Sequence, residues 1–266
     1  MDYTGNLSKM SSELQTEVHY FLTLGNDRIH MNDLIGREIK LEYKNIIHCI
    51  KCGRITKTSF AQGYCYPCFT TAPETEDCVL RPELCRAHLG EARDMTFARE
   101  HCLIDHIVYL AVSGGLKVGV TRHTQIPTRW IDQGAWKAIK LAITPNRYLA
   151  GNIEVALKDY FNDKTNWRHM LTNKLALHTD LVKEKDNAID LLHYDFKEFA
   201  TDDDEIVVLN YPVKQYPEKV KSINFDKVNF IEDVLTGIKG QYLLFESGAV
   251  LNVRKHGGYR VELGVK

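Results

Sequence analysis

All seven cysteines of this 266-residue chain fall between Cys49 and Cys102, and the first four constrain the fold more than any other feature. Cys49-x2-Cys52 is followed by twelve residues and then Cys65-x2-Cys68, with Gly53 and Gly63 near the turns. Two i,i+3 pairs bring four thiolates to the corners of a tetrahedron once the hairpin between them folds back, which suits Zn²⁺. Four protein ligands leave no coordination position for substrate, so such a site is structural. The alternative is two redox pairs or buried free thiols, although a lone redox CxxC needs only one pair beside a βαβ pattern. A second set follows: Cys78, Cys85, His88, His101 and Cys102. Cys85-x2-His88 has ligand spacing, and Cys78 with Cys102 would complete a Cys₃His site. His101 competes with His88 for the fourth place.

Composition limits what surrounds these sites. A hydrophobic content of 44% can bury a real core in one or two domains. Net charge is −1 and the sequence pI about 6.8, so no bulk electrostatic pull toward nucleic acid exists and any basic face must be local. The N-terminus shows no charged-then-apolar leader, and no apolar run approaches the ~20 residues of a membrane helix. The expectation is a soluble, cytoplasmic protein with no membrane partner, in whose reducing surroundings clustered cysteines hold metal more often than disulfides.

Between residues 107 and 161 the pattern is ββαβα. Ile107–Val112 and Leu116–Val120 are apolar, β-prone runs joined by Ser113-Gly114-Gly115, the mark of a hairpin. Pro127 opens a helical Thr128–Gln133. A strand over Ala138–Ile143 and a helix carrying Glu154 among Ile153, Val155, Leu157 and Phe161 complete the segment. His106 would cap the start of the hairpin. Beyond it, a helical run extends from Asp163 through Asn166 to about Leu177, and residues 180–199 read as one amphipathic helix with Leu181, Ala188, Ile189, Leu192 and Phe196 on one side. Thr201–Glu205 is an acidic loop that could hold a cation or simply be a solvated turn, and Ile206–Leu209 reads as a strand before the Pro212 and Pro217 loops.

The two ends read as β-meanders. Strands are predicted over residues 17–24, 28–32 and 37–43, and again over 241–246, 250–254 and 259–263. Tyr20 with Asn32 and Tyr242 with Asn252 hint at an internal repeat, with two ordinary meanders as the alternative. Pairing of the termini into one small β-barrel or sandwich would make them a single domain discontinuous in sequence.

The central segment resembles the GIY-YIG nuclease superfamily, whose hairpin carries two signature tripeptides, with an arginine on the next helix and a glutamate on a later one. Val108-Tyr109-Leu110 stands at the first tripeptide and Lys117-Val118-Gly119 at the second; Arg129 and Glu154 fall at the arginine and the metal-binding glutamate. The leading Gly and Ile are absent, and Lys117 replaces the second tyrosine, so no tyrosine role carries over there. Over its whole length the chain also looks like an uncharacterised bacterial family of unknown function that combines zinc-type cysteines with this segment. Many members of that family carry another cysteine near Ala92, which this chain lacks.

The resemblance implies a phosphodiester hydrolase. Tyr109 would be base, Glu154 would hold one Mg²⁺ or Mn²⁺, Arg129 would clamp phosphate and Lys117 would bind it as a point charge. Arg122, Gln133 (one turn after Arg129), His123 and Asn166 are further substrate contacts. Basic and aromatic residues of the cysteine hairpin (Lys51, Arg54, Lys57, Phe60, Tyr64, Tyr66), with Lys255 and Tyr259, could grip phosphates and stack bases. Each has a plainer alternative: Tyr109 as a core residue, Arg129 covering apolar surface beside Trp130, Glu154 on an ordinary polar helix face, the hairpin as solvated surface. The expected fold is α+β: residues 1–47 an N-terminal meander, 48–104 a zinc-binding region, 105–178 the GIY-YIG-like ββαβα domain, and 179–266 a helix plus the C-terminal meander packing with the first. The expected function is a zinc-stabilised, divalent-metal-dependent nuclease on DNA or RNA. A non-catalytic nucleic-acid-binding adaptor and a zinc-held protein-interaction scaffold are the alternatives.

Overall fold

The computed structural model describes residues 2–161, 166–174, 176 and 178–266. It divides into two compact units: residues 1–70, 171–173 and 210–266 form the first, and residues 71–170 and 174–209 the second.

The first unit begins with strands β1 (Asp2–Asn6), β2 (Ser11–Leu14), β3 (Val18–Leu24), β4 (Asp27–His30), β5 (Glu38–His48) and β6 (Ile55–Thr56), then helix α1 (Tyr66–Thr71). In β3 the alternation of buried Val18, Tyr20, Leu22 and Leu24 with outward residues is what a half-buried strand requires. β2, β3 and β4 make a three-stranded antiparallel sheet. The strand expected over residues 28–32 stops at His30, and Met31–Leu34 is a 3-10 turn. Asn32 explains the stop: its Oδ1 accepts from Tyr20 N at 2.9 Å and its Nδ2 donates to Val18 O at 3.0 Å. The side chain thus satisfies backbone groups that a continuing strand would have paired.

The second unit contains α2 (Met95–His101), β7 (His106–Val112), β8 (Leu116–Arg122), α3 (Thr128–Asp132), β9 (Lys137–Thr144), α4 (Arg147–Leu157), α5 (Trp167–Leu171), α6 (Leu181–Leu191), α7 (Tyr194–Lys197) and β10 (Val207–Val208). The order β7–β8–α3–β9–α4 is the ββαβα order expected. Its sheet runs β10–β9–β7–β8, antiparallel throughout, so β7 is central and buried at every residue. Val108, Leu110, Ile139 and Leu141 pack against Ala150, Ile153 and Leu157 of α4 and Leu181 and Ala188 of α6 in one core. The single helix expected over 180–199 is two, because Leu192 turns to an extended backbone between α6 and α7. Of the helical run expected to Leu177, α5 covers Trp167–Leu171; residues 162–165, 175 and 177 lie outside the described residues.

The chain returns to the first unit with β11 (Lys221–Ile223), β12 (Phe230–Lys239), β13 (Tyr242–Phe245), β14 (Ala249–Asn252) and β15 (Tyr259–Val265). The termini pair directly, β1 against β15, and β15 continues onto β5. The large sheet runs β1–β15–β5–β12–β13–β14–β11, with β6 on β5. It does not close into a barrel among the described residues: β1 and β11 end it on opposite sides, and β11 is a three-residue strand. The long β12 falls where loops were expected, because Glu232 and Asp233 interrupt its apolar pattern. No helix among the described residues is long and apolar enough to cross a membrane.

Candidate metal centres and the hairpin cleft

In the first unit, β5 delivers Cys49 and the turn after it Cys52, while Cys65 precedes α1 and Cys68 lies in its first turn. The turn closes by Gly53 N to Cys49 O and Cys49 N to Arg54 O, both 2.8 Å. All four sulfurs lie within 4.8 Å of one another, and Cys52 Sγ to Cys65 Sγ is 3.8 Å. A tetrahedron with Zn–S bonds of about 2.3 Å has edges of about 3.8 Å, so the donor set fits zinc. Burial pushes the Cys49 thiol up, but backbone N–H groups of Cys65, Cys52 and Lys51 outweigh it and bring the thiol to about 6. A preformed thiolate is what a metal ligand needs.

The second unit gathers Cys78, Cys85 and Cys102, all buried and within 4.8 Å of one another. Hydrogen bonds from the Cys102 and Cys78 thiols pull Cys85 down to about 3. Arg147, only 8% exposed, donates to Cys78 Sγ at 3.4 Å and to His101 O at 3.0 Å. A buried guanidinium requires a counter-charge. Three thiolates on one Zn²⁺ would carry a net −1, which would balance it. His88 does not join: it is exposed, its ring stacked on Tyr148 with centroids 4.3 Å apart. His101 stacks on Phe97 and places Nδ1 3.1 Å from Phe97 O. Ala92 packs against the small core that holds the three cysteines. This second group therefore offers three cysteine sulfurs.

Also in the second unit, a cleft of about 380 Å³ is lined by Gly119 and Val120 of β8, Arg129 of α3, Gln133 just after it, Glu154 and Lys158 from α4 and its end, and the Leu80–Glu83 turn. Arg129, Gln133 and Glu154 thus reach one opening. Tyr109 does not reach it. Its side chain is fully buried, edge-on to Trp130 at 5.9 Å, and its hydroxyl donates to Gln133 Oε1 at 2.8 Å from below. Gly119 faces Tyr109 across the hairpin, and a Cβ there would come within 2.7 Å of the hydroxyl, so glycine makes the room. Burial raises the phenol above its ordinary range, so at neutral pH it is protonated and donates to Gln133.

Lys117 is likewise no surface point charge. It is 2% exposed and donates to the same Gln133 Oε1. Burial, helped by Arg129, lowers its ammonium to about 7. With Oε1 engaged twice, Gln133 keeps its NH₂ for the cleft.

Arg122 ends β8 half-buried, held below the usual guanidinium range by burial and the neighbouring Arg147, and does not line the cleft. Asn166 Oδ1 accepts from His169 N at 3.2 Å, the work of a helix cap. His123 bonds Asp105 O through Nδ1 at 3.1 Å. His106 Nδ1 lies 2.8 Å from Ile104 O at the hairpin entrance. The acidic loop is charge-paired: Asp203 meets Lys140 and Asp204 meets buried Lys185, each at 2.7 Å.

In the first unit Lys51, Arg54, Lys57 and Tyr66 are exposed, while Phe60 packs on Tyr66 and Phe69, and Tyr64 is partly buried and bridged to Phe60. Lys255 is exposed. Tyr259 cannot stack on a base: it is 4% exposed and its hydroxyl is committed to Asp226 at 2.6 Å.

The residues that sequence reasoning missed are Arg147, Gly151 and the Leu80–Glu83 turn. Only the position of Arg147 at the start of the Glu154 helix signalled any of them.

Fold and sites together define a mixed α+β protein whose two units each carry a cysteine group able to hold a metal ion. Residues 36–261 match the family described as protein of unknown function (DUF2797), and the chain belongs to it. No curated protein and no solved structure matches the chain significantly.

Proposed function

We propose that the protein is a GIY-YIG-like, divalent-cation-dependent nuclease, stabilised by zinc, that hydrolyses phosphodiester bonds in DNA or RNA. The observation that carries this reading is the meeting of Arg129, Gln133 and Glu154 in one open cleft beside the hairpin. Glu154 would hold Mg²⁺ or Mn²⁺, since one carboxylate plus waters suits a cation that keeps much of its hydration. A cation there supplies Lewis-acid stabilisation of the phosphate and lowers the pKa of a water. Arg129 neutralises charge that builds on the phosphate, and the Gln133 NH₂ donates to one of its oxygens. Tyr109 and Lys117 are positioning residues, holding Gln133 by its carbonyl oxygen. In the first unit, Lys51, Arg54, Lys57, Tyr66 and Lys255 supply contacts to backbone and bases.

The burial of Tyr109 favours one second reading, a nucleic-acid-binding adaptor without turnover. One experiment separates them. The protein is incubated with Mg²⁺ or Mn²⁺ and a panel of plasmid, branched DNA and structured RNA. The nuclease reading expects nicking that Glu154→Ala stops while the circular dichroism spectrum is unchanged. Salt-sensitive binding without cleavage supports the adaptor. Neither binding nor cleavage defeats both and leaves a zinc-held scaffold.

A further inference from the structure

Leu80 is the most exposed large apolar side chain among the described residues, at 87%, and it lines the same cleft as Arg129 and Glu154. A single exposed leucine on a mobile surface loop means little. This one is held from three directions. Its segment runs between Cys78 and Cys85, two of the three clustered thiols. It is wound into back-to-back 3-10 turns, with Leu80 N to Asp77 O at 3.1 Å, Arg81 N to Asp77 O at 2.9 Å and Cys85 N to Pro82 O at 3.0 Å. Underneath, the backbone of Pro82 and Glu83 rests on Gly151 of α4 so closely that a Cβ there would lie 2.2 Å from Glu83 N.

Folding gains nothing from a leucine fixed in water. Its neighbours are three cations, Arg81, Arg129 and Lys158, against two carboxylates, Glu83 and Glu154, with Arg81 Nε 3.3 Å from Glu83 Oε1. An apolar tip over a cleft of net positive side-chain charge matches one ligand chemistry well. Cations take phosphates, and an apolar wedge enters a base step and unstacks it.

We propose that Leu80 is such a wedge: it separates stacked bases at the mouth of the cleft, so that the preferred substrate is paired nucleic acid opened at one step. This rests on the nucleic-acid reading above, but not on turnover.

The test uses the full zinc-loaded chain and a duplex carrying 2-aminopurine. Binding of the wild type is expected to raise the fluorescence several-fold. Glu154→Ala should keep the rise while losing cleavage. Leu80→Ala should lose most of the rise, and Leu80→Phe should retain it. In cleavage assays the ratio of rates on paired to mismatched duplex should fall roughly tenfold for Leu80→Ala, the scale of one lost apolar contact. An undiminished rise with Leu80→Ala, or equal loss on paired and mismatched duplexes, overturns the wedge and leaves the nuclease standing. Absence of binding to any nucleic acid overturns both and points to a protein partner for Leu80.

Discussion

Replacing Lys117 by methionine tests the least ordinary group in the cleft. The lysine titrates at about 7 when folded, because it is buried and faces Arg129. In the unfolded chain it titrates near 10.4. Between these values the unfolded state holds almost one proton more than the folded state, so stability rises with pH. The contribution is complete only above the unfolded value and is lost as pH falls toward 7. One pKa unit corresponds to about 1.4 kcal/mol, so burying the ammonium costs about 4 kcal/mol at pH 7, and about 3 kcal/mol of that is regained by pH 9.5. Lys117→Met keeps the stem's volume and removes the titration. All three tryptophans, Trp130, Trp136 and Trp167, lie in the second unit, so their fluorescence in urea follows that unit's unfolding. Compared with wild type, the variant should be relatively most stable at pH 7, and the gap should narrow by about 3 kcal/mol at pH 9.5. Titration of the Lys117 ¹³Cε resonance gives the midpoint directly. A gap independent of pH, or a midpoint near 10, refutes the buried Gln133 network and the positioning role built on it.

Gly119→Ala forces a methyl against the Tyr109 hydroxyl and should destabilise the second unit by about 1–3 kcal/mol in urea. Tyr109→Phe in the same chain should recover part of that loss, and strict additivity of the two changes speaks against the contact. Elemental analysis should find two zinc per chain, with Cys65→Ser removing one and Cys102→Ser the other. A folded wild type with fewer than two shows that a three-thiolate group beside Arg147 does not retain metal.

Much of the architecture is written locally. The Ser113-Gly114-Gly115 turn between two apolar runs encodes β7 and β8, whose pairing puts Tyr109 opposite Gly119. The CxxC spacing encodes a tetrahedral sulfur group, because i,i+3 thiols at a tight turn have few other places to go. What failed to show were features whose signal is spread across the chain. β12 carries Glu232 and Asp233 and so breaks the alternation that marks a strand, yet it is stabilised by pairing with β5 and β13. His88 has ligand spacing, but its exposed ring stacks on Tyr148, a partner far along the chain that spacing does not reveal.

The sequence by itself therefore determined the hairpin, the ββαβα order and the four-cysteine group, since turn chemistry, strand alternation and thiol spacing act over a few residues. Tertiary structure alone decided which side chains face water. Packing around β7 buries the phenol of Tyr109 and the ammonium of Lys117 and points both at the Gln133 carbonyl oxygen. The same packing of α4 against the Pro82–Glu83 backbone sets Arg147 beside the thiols and Leu80 at the cleft mouth. Burial and close approach depend on elements distant in the chain, and no local pattern carries that information.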